Sequence, residues 1–381
     1  MSRVTIDRLS KRFGGKPPTI AANELQLEIG EGEFLVLLGP SGCGKTTTLR
    51  CLAGLEAPDA GRITLGGRTV FDSARGINLP PDRRNVGMVF QSYALWPHMT
   101  VRKNVEYPLR ARGLKQGLAQ RWVEETIRLV ECEALIDRYP GQLSGGQQQR
   151  IALARGIVAR PELVLFDEPL SNLDARLRDQ VRSQLHELHA RLGFTAVFVT
   201  HDQVEALALG QRLAVMRSGT IEQLDTPQNV FERPATEYVA AFIGMSNRLV
   251  LEFEEGAWRC DGVAAEGAPD VAGDKAAWLA AHFRPEDLHV AAPGWSLPAE
   301  TLALPATVVD SAFAGRHFDV VVAVGQQRFQ GRLASDGSDG LAGPLGAGAA
   351  VKVWFQAGMA AYYGADGAAI GRRRGPVLRR A

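Results

Sequence analysis

A glycine-rich stretch carries the clearest chemical motif of the chain. It follows an apolar run at Phe34–Leu38, precedes a helical pattern and matches G-x-x-x-x-G-K-[ST] with the residues Gly39-Pro40-Ser41-Gly42-Cys43-Gly44-Lys45-Thr46. The glycines let backbone N–H groups converge on phosphate oxygens, and the start of the helix adds positive charge. Lys45 would reach the β- and γ-phosphates of a nucleotide, while the Thr46 hydroxyl would bind Mg²⁺. A glycine-rich turn that matches by chance is the less favoured alternative.

A pair of carboxylates supplies the second half of a nucleotide-hydrolysing site. The apolar run 163–166 is followed by Asp167 and Glu168. We expect Asp167 at the carboxyl edge of a sheet, beside the phosphate site, where it would orient Mg²⁺. Glu168 is then placed to act as the general base for an attacking water. Two surface acids at a strand end are the alternative, which is less favoured beside a phosphate-binding loop.

A third motif decides between families of nucleotide-binding proteins. Residues 143–150 read LSGGQQQR, and Ser144 lies 23 positions before Asp167 (167 − 144). Ser144 can cap a helix whose first N–H groups, at Gly145 and Gly146, face an anion, although an ordinary helix start would look the same. Here the chain resembles the ATP-binding cassette (ABC) ATPases. The resemblance implies that two subunits pack head to tail, and that the segment Ser144–Gln147 of each caps the γ-phosphate held by the other.

The same resemblance implies roles for three further positions. Gln91, after the apolar stretch 86–90, corresponds to a glutamine that touches Mg²⁺ and the attacking water and senses a permease. Ser171-Asn172-Leu173-Asp174 corresponds to a loop that crosses the dimer interface. His201 corresponds to the switch histidine that contacts the γ-phosphate. A structural histidine is the alternative, because Asp202 and Glu205 form a capping-box-like pair just after it.

Phe13 corresponds to the aromatic residue that stacks on adenine, where Tyr is more usual in the family. A buried strand phenylalanine is the alternative for this position. The complete predicted site has three sets of residues. Those expected in catalysis are Glu168, His201, Lys45 and Gln91. Those expected to bind ATP are Phe13, Gly39, Pro40, Ser41, Gly42, Cys43, Gly44, Lys45, Thr46, Thr47, Gln91, Ser144, Gly145, Gly146, Gln147, Asp174 and His201. Those expected to hold Mg²⁺ are Thr46, Gln91 and Asp167.

The elements that must position these residues follow from the pattern of apolar residues. Residues 1–240 alternate short apolar strands with longer helical patterns, which is typical of an α/β fold with a largely parallel sheet. Residues 92–160 predict a helical subdomain inserted into that fold. The predicted fold class of this first domain is therefore an α/β P-loop NTPase of the ABC ATPase type.

Residues 241–381 differ in composition and in pattern. Short β-like stretches at 306–309, 318–324 and 351–355 are separated by Gly and Pro, which predicts a small all-β domain. With FRPED at 283–287, this part resembles the OB-like regulatory domain of importer ATPases. The stretch 372–380 contains five arginines and is interpreted as a solvated tail, with a contact to a membrane surface as the alternative.

Charge and composition argue against other classes of protein. The 381 residues include 43 Lys plus Arg against 42 Asp plus Glu, so no overall basic field attracts nucleic acid, and we expect no nucleic-acid partner. No apolar run approaches the roughly 18 residues of a membrane span, and the first ten residues lack the apolar core of a signal peptide. The four cysteines form no CxxC pair and are interpreted as the reduced thiols of a cytosolic protein.

The resemblance also implies a function. Residues 93–101 resemble those of the importer type, which implies an ATP-hydrolysing subunit on the cytoplasmic face of the inner membrane. The implied partners are a second copy of the chain, a membrane permease and, through the permease, an extracytoplasmic solute-binding protein. Sugar-type members often carry Pro-x-Met-Asn after Phe-Ile-Gly, whereas residues 242–247 read FIGMSN. This difference favours polyamine, ferric iron or phosphonate as the solute.

Two alternatives to this function stay open, a sugar importer ATPase and a soluble cassette ATPase outside transport. Soluble cassettes that act on ribosomes normally have two phosphate-binding loops, and this chain has one. A GTP-dependent switch would need an [NT]-K-x-D sequence, which is absent. Cassettes that structure or repair DNA separate their motifs with a long coiled coil, and no sustained heptads are present here.

Overall fold

The structure is a computed structural model that describes residues 2–16, 18–269, 271, 277–334 and 345–370. Contacts divide the chain into two compact units, Met1–Pro227 and Gln228–Ala381. The division comes before the expected boundary at residue 240, because the residues after Pro227 pack with the second unit. The Tyr363 hydroxyl, for example, donates to the carbonyl oxygen of Pro234 at 3.0 Å. The arginine-rich stretch 372–380 lies outside the described residues.

The first unit is an α/β structure. Its strands are β1 (Val4–Phe13), β2 (Thr19–Ile29), β3 (Phe34–Leu38), β4 (Ala60–Leu65), β5 (Arg68–Asp72), β6 (Ile77–Asn78), β7 (Val86–Val89), β8 (Leu163–Asp167), β9 (Ala196–Thr200), β10 (Arg212–Arg217) and β11 (Thr220–Asp225). Its helices are α1 (Lys45–Ala53), α2 (Val101–Ala111), α3 (Lys115–Ala119), α4 (Trp122–Leu129), α5 (Gly145–Ile157), α6 (Ala175–Leu192) and α7 (Gln203–Leu209). Short 3-10 turns lie at Pro81–Arg83, Glu133–Leu135 and Pro140–Gln142.

A six-stranded sheet carries the predicted site. Its order is β11-β10-β3-β9-β8-β7, in which β11 pairs antiparallel and the other pairings are parallel. Every residue of β3, β8 and β9 is buried, which is why these strands are nearly uninterrupted apolar runs in the sequence. Because parallel strands end at the same edge of a sheet, the residues that follow β3, β7, β8 and β9 meet there.

An antiparallel sheet and helix α1 share one core with the parallel sheet. The second sheet has the order β2-β1-β4-β5-β6. Its inward residues, such as Ile6 and Ile63, belong to the same buried cluster as Leu35 of β3 and Leu49 of α1. This packing holds α1, the helix that begins at the phosphate-binding loop, between two sheets.

Helices α2 to α5 form the helical block that the sequence predicted within residues 92–160. Val101, Val105 and Leu109 of α2 are buried at a spacing of four residues, as in an amphipathic helix, and α2 packs on α5. Thr100 caps α2 by accepting from the N–H of Lys103 at 3.4 Å. The predicted helical insertion is therefore confirmed.

The second unit is β-rich and begins with helices α8 (Pro227–Glu232) and α9 (Glu237–Phe242). Its strands are β12 (Asn247–Glu254), β13 (Ala257–Cys260), β14 (Val263–Ala264), β15 (Trp278–Phe283), β16 (His289–Ala291), β17 (Thr301–Phe313), β18 (His317–Val324), β19 (Gln327–Ala334), β20 (Ala350–Gln356) and β21 (Ala361–Tyr363). Short 3-10 turns lie at Pro285–Asp287 and Ala357–Met359.

The strands of the second unit form two five-stranded sheets. The orders are β14-β13-β12-β15-β21 and β16-β20-β17-β18-β19, and the described pairings are antiparallel. Residues of both sheets build one core, in which the rings of Phe283 and Phe355 stack with their centres 4.3 Å apart. The all-β character predicted for this part of the chain is confirmed.

Two expectations about the whole chain concern membrane spans and thiols. In the part of the chain that the structure describes, no helix combines the length and the apolar character that crossing a membrane requires. Cys43, Cys51, Cys132 and Cys260 are free and buried, as predicted for reduced thiols. Burial raises the pKa of Cys51 and of Cys260 to about 12, so these thiols stay protonated at neutral pH.

Candidate nucleotide-hydrolysis site

The phosphate-binding loop is the turn that joins β3 to α1. Gly44 has φ 107°, and a Cβ on it would lie 1.8 Å from the carbonyl oxygen of Ala21 in β2, so only glycine fits. Gly42, with φ 81°, has no neighbouring atom where its Cβ would stand. The buried ammonium of Lys45 donates to the carbonyl oxygens of Gly39 at 2.7 Å and Pro40 at 3.0 Å. The loop therefore combines a lysine whose ammonium is held by hydrogen bonds with open space beside Gly42, as phosphate binding requires.

Thr46 and Asp167 meet although 121 positions separate them in the chain. The Thr46 hydroxyl donates to Oδ1 of Asp167 at 3.0 Å. Burial raises the pKa of Asp167 above its usual value, against the opposing effects of the Thr46 hydroxyl and the Arg50 cation. A hydroxyl and a buried carboxylate are oxygen ligands of the kind that Mg²⁺ takes, so this donor set fits the predicted cation.

Glu168 turns away from its neighbour Asp167. Its φ is 46°, and its N–H donates to the carbonyl oxygen of Val199 in β9 at 3.1 Å. This conformation brings Oε2 of Glu168 within 3.2 Å of Nδ1 of His201, which follows β9. Two adjacent carboxylates thus have different partners, one facing the cation ligand Thr46 and the other facing the histidine.

The loop 171–174 is hydrogen-bonded to the residues that follow β7 and β8. The Asn172 side-chain amide donates to the carbonyl oxygen of Gln91 at 3.0 Å, and the Ser171 hydroxyl donates to that of Glu168 at 3.0 Å. The side chain of Gln91 is exposed at the end of β7. Asp174 caps α6, since its Oδ1 accepts from the N–H of Leu177 at 2.9 Å. The structure therefore gives Asp174 a helix-capping contact beside its predicted role at the nucleotide.

The support of His201 differs from the capping box that the sequence suggested. Asp202 caps α7 by accepting from the N–H groups of Val204 and Glu205 at 2.8 and 3.0 Å. The Glu205 carboxylate does not complete a box but accepts from the buried Thr200 hydroxyl at 2.6 Å, because it points back towards β9. Burial raises the pKa of Glu205. His201 thus stands between two residues, Thr200 and Asp202, that are hydrogen-bonded to α7.

The LSGGQ segment begins α5 with a complete capping box. The Gln147 N–H donates to the Ser144 hydroxyl at 3.4 Å, and the Ser144 N–H donates to Oε1 of Gln147 at 2.9 Å. A Cβ on Gly146 would come within 2.6 Å of the Leu177 side chain, so α6 packs closely on this helix start. The predicted cap is present.

Phe13 lies at the last position of β1 and is 39% exposed, unlike the buried strand residue of the alternative interpretation. It pairs with Thr19 of β2, two residues before Ala21, which touches the phosphate-binding loop at Gly44. The Lys11 ammonium lies 5.0 Å from the centre of the Phe13 ring. An exposed ring on the hairpin beside the loop is compatible with stacking on a nucleotide base.

A groove lies between the sheet edge and the helical block, and its walls include Trp96, which the sequence singled out, together with arginines that it did not. Its volume is about 850 Å³, and its walls include Trp96, Tyr107, Arg112 and Arg155. The Trp96 and Tyr107 rings are in contact, with centres 4.3 Å apart. Arg155 and Asn104 hold the backbone of 93–96 from inside, and an isolated Arg or Asn in a helical pattern carries no sequence signal of such a role.

Comparison with known proteins identifies the family. The ABC transporter family model matches residues 22–171, and the TOBE domain model matches residues 283–361. The Fe(3+) ions import ATP-binding protein FbpC of Rhizobium etli is 44% identical over 331 residues, which are 84% of this chain and 87% of that protein. The trehalose/maltose import ATP-binding protein MalK of Thermococcus litoralis is 51% identical over 244 residues, 64% of this chain and 65% of that protein.

Two further comparisons indicate the same family. The sulfoquinovosyl glycerol transport ATP-binding protein SmoE of Agrobacterium fabrum is 48% identical over 244 residues, and the chain spans 66% of its length. A dimeric, post-hydrolysis ATP-binding cassette bound to ADP and Pi has a TM-score of 0.50 and 30% identity, covering 59% of this chain and 98% of that one. The chain belongs to the ABC transporter family and contains a TOBE domain, and ATP hydrolysis is the activity of this family.

Proposed function

We propose that the chain is the ATP-hydrolysing subunit of an ABC importer and acts as a homodimer on the cytoplasmic face of the inner membrane. One observation carries the proposal. The ends of β3, β8 and β9 bring a phosphate-binding loop, a hydroxyl–carboxylate pair and a carboxylate–histidine pair to one edge of one sheet. These are the groups needed to bind a nucleoside triphosphate and to activate water.

In the proposed reaction, the loop N–H groups and Lys45 bind the phosphates, and Phe13 stacks on adenine. Mg²⁺ would accompany ATP, held by Thr46, Asp167 and Gln91, and would neutralise phosphate charge. Glu168 accepts a proton from water while the oxygen of that water forms a bond to the γ-phosphorus. The bond from that phosphorus to the bridging oxygen breaks, and ADP leaves with the electron pair.

His201 would orient Glu168 and the γ-phosphate. The Nδ1 contact to Glu168 leaves the other ring nitrogen free to face the substrate. A positively polarised group beside the transferring phosphoryl stabilises its charge in the transition state. Glu168 and His201 therefore work as a pair in this mechanism.

In the homodimer, each ATP would lie between Gly39–Thr46 of one copy and Ser144–Gln147 of the other. The capped start of α5 presents backbone N–H groups, which suit a γ-phosphate. A single chain already has one phosphate-binding loop, so this second anion-binding helix start has a use only across an interface. The dimeric cassette among the similar structures supports this arrangement.

The groove lined by Trp96 and Tyr107 is the surface that we assign to the permease. Phe90, the residue before Gln91, lines this groove, so a protein bound in the groove would act close to the nucleotide. For the solute, we propose ferric iron first, with polyamine or phosphonate next. The alignment with the ferric-ion importer subunit covers 84% of this chain, whereas that with the trehalose/maltose subunit covers 64%. The two relatives named for sugar-containing solutes keep a sugar as the alternative.

The test is a pull-down from native membranes with Glu168→Gln, a change that keeps ATP bound and blocks its hydrolysis. Lys45→Ala, which weakens ATP binding, is the matched control. We expect a polytopic permease and a solute-binding protein to be retained with Mg-ATP by the first variant alone. Ferric-ion, polyamine, phosphonate or sugar binding by that solute-binding protein then identifies the solute. Recovery of ribosomes or DNA without a permease would contradict the importer function.

A further inference from the structure

The segment 91–96 is held in place by a buried arginine of the LSGGQ helix. Arg155 lies in α5, and its two terminal nitrogens donate to the carbonyl oxygens of Ala94 at 2.6 Å and Tyr93 at 2.8 Å. The guanidinium carbon lies 4.9 Å from the centre of the Trp96 ring. Burial lowers the pKa of Arg155 to about 10, so it is still charged at neutral pH and needs these carbonyl partners.

The turn that Arg155 holds has an unfavourable backbone. Tyr93 and Ala94 have φ values of 61° and 49°, in the left-handed region that side chains other than glycine rarely adopt. Consecutive residues in this region need support from their surroundings. The two hydrogen bonds of Arg155 supply that support at the two strained residues themselves.

The turn points Tyr93 at the other end of the same helix. Its hydroxyl lies 3.8 Å from the position that a Cβ on Gly145 would take, at the first turn of α5. Gly145 and Arg155 are ten residues apart, which is about 15 Å along a helix. The segment 91–96 therefore lies beside the LSGGQ start of α5 at Tyr93 and is hydrogen-bonded near the end of α5 to Arg155.

Both ends of this segment are also anchored. The buried amide of Asn104 in α2 accepts from the Trp96 N–H at 2.8 Å and donates to the Trp96 carbonyl oxygen at 3.1 Å. At the other end, Asn172 donates to the carbonyl oxygen of Gln91 at 3.0 Å. With both ends fixed, removing the support at positions 93 and 94 changes the turn between them.

We propose that Arg155 is a positioning residue that holds the turn at Tyr93 and Ala94, so that Tyr93 supports the LSGGQ start of α5. Because that helix start would face the ATP of the second copy, Arg155 acts on the nucleotide across the interface and not on the one bound by its own loop. This inference rests on the proposed head-to-tail dimer. It goes beyond that dimer because it names two residues, Arg155 and Tyr93, that connect the groove lined by Trp96 with the nucleotide site of the second copy.

The experiment measures ATP binding and ATP-driven dimerisation separately. In a full-length Glu168→Gln background, Arg155→Met removes both donors and keeps most of the side-chain length, and Arg155→Lys keeps the charge. We expect the Kd for Mg-ATP of the single chain to change by less than about twofold. The chain concentration at half dimerisation, measured by sedimentation, should rise at least about tenfold with Met and less with Lys, since two charge-assisted hydrogen bonds are lost.

Two controls separate this role from general stabilisation. Arg160→Met removes an arginine that stacks on Trp122 and pairs with Glu125, outside the segment 91–96, and should leave dimerisation unchanged. Tyr93→Phe removes one hydroxyl and should weaken dimerisation with an unchanged Tm. In hydrogen exchange, Arg155→Met should speed exchange at 91–96 and 144–148 and leave α1 protected.

Three outcomes would overturn the inference. Dimerisation of Arg155→Met and Tyr93→Phe with ATP as readily as that of the Glu168→Gln parent would exclude a positioning role. ATP binding that falls together with dimerisation, or exchange that rises in α1 as well, would make Arg155 a general stabilising residue. A parent that does not dimerise with ATP would overturn the proposed homodimer itself, and that result is seen before any change at Arg155.

Discussion

At the scale of single residues, the backbone at Glu168 separates two carboxylates that are adjacent in the chain. Asp167 ends β8 and is buried against Thr46. The left-handed φ of Glu168 sends its side chain to His201 instead. One carboxylate is therefore suited to a cation and the other to a proton, because a single dihedral angle gives them different surroundings.

The first prediction concerns Glu168. Glu168→Gln removes the proton acceptor and keeps the side-chain shape, so kcat should fall by about 10²–10⁴-fold, the usual contribution of a general base. The Kd for Mg-ATP should change little. Steady-state kinetics and equilibrium binding measure the two effects, with Glu187→Gln on the exposed face of α6 as the control. A variant that keeps its kcat would exclude Glu168 as the base.

The second prediction concerns the charge on Asp167. Its pKa is raised in the folded chain, so the native state holds the proton more tightly than the unfolded state. Stability from this group is therefore fully present below the unfolded pKa of about 4 and is lost as pH rises from that value through the higher folded pKa. At neutral pH the buried charge destabilises the chain without Mg-ATP.

Asp167→Asn should accordingly raise the Tm of the nucleotide-free chain. The asparagine oxygen can still accept from Thr46, and about 1 kcal/mol corresponds to about 2–4 °C in a domain of this size. Mg-ATP should add less to the Tm of the variant than to that of the parent chain. Thermal unfolding with and without Mg-ATP measures both effects. A lower Tm in the absence of nucleotide would contradict the interpretation.

At the scale of elements, three helices that border the site begin with a side-chain cap. Ser144, Asp174 and Asp202 start α5, α6 and α7. The caps satisfy N–H groups at helix ends that lie beside the strand ends of the parallel sheet. They hold the loops before these helices in defined positions, and the predicted site residues Ser144, Asp174 and His201 lie in or next to those loops.

The third prediction separates the two roles of Asp174. Asp174→Asn keeps a capping oxygen, so the Tm should not change, whereas Asp174→Ala should cost about 1 kcal/mol of unfolding free energy. If Asp174 also acts at the nucleotide, both variants should lower kcat. Thermal unfolding and kinetics distinguish these cases. An Asn variant with full kcat would leave Asp174 as a helix cap alone.

At the scale of the whole molecule, labelling of the buried thiols can measure the unfolding of each of the two units separately. Cys51 and Cys132 belong to the first unit and Cys260 to the second. Burial raises the pKa of all three, so they are protonated and shielded in the native chain. Their modification requires that the unit containing them opens.

The fourth prediction uses this difference in a labelling experiment under partly denaturing conditions. In the proposed function Mg-ATP binds the first unit, which would stabilise that unit by RT ln(1 + [ATP]/Kd), about 2.7 kcal/mol at a hundredfold excess over Kd. It should therefore slow the labelling of Cys51 and Cys132 and leave Cys260 unchanged. Mass spectrometry of the labelled peptides provides the rates. Equal protection of Cys260 would show that the two units unfold together.

The sequence was sufficient for the features that are local in the chain. The phosphate-binding loop, the capped LSGGQ helix and the strands β3, β8 and β9 were predicted because each depends on neighbouring residues. A phosphate site needs consecutive N–H groups, and a buried parallel strand needs a continuous apolar run, so both leave a pattern. The all-β second part was predicted for the same reason, from short apolar runs between Gly and Pro.

Only the tertiary structure decided which distant groups meet and where the chain divides. The contacts of Thr46 with Asp167, of Arg155 with Tyr93 and of Glu205 with Thr200 depend on how strands and helices pack. The boundary at residue 227 likewise follows from what the next residues contact. The sequence does not determine which groups surround a single arginine or glutamate in a helical pattern. The role of such a residue depends on the partners that folding brings within hydrogen-bonding distance.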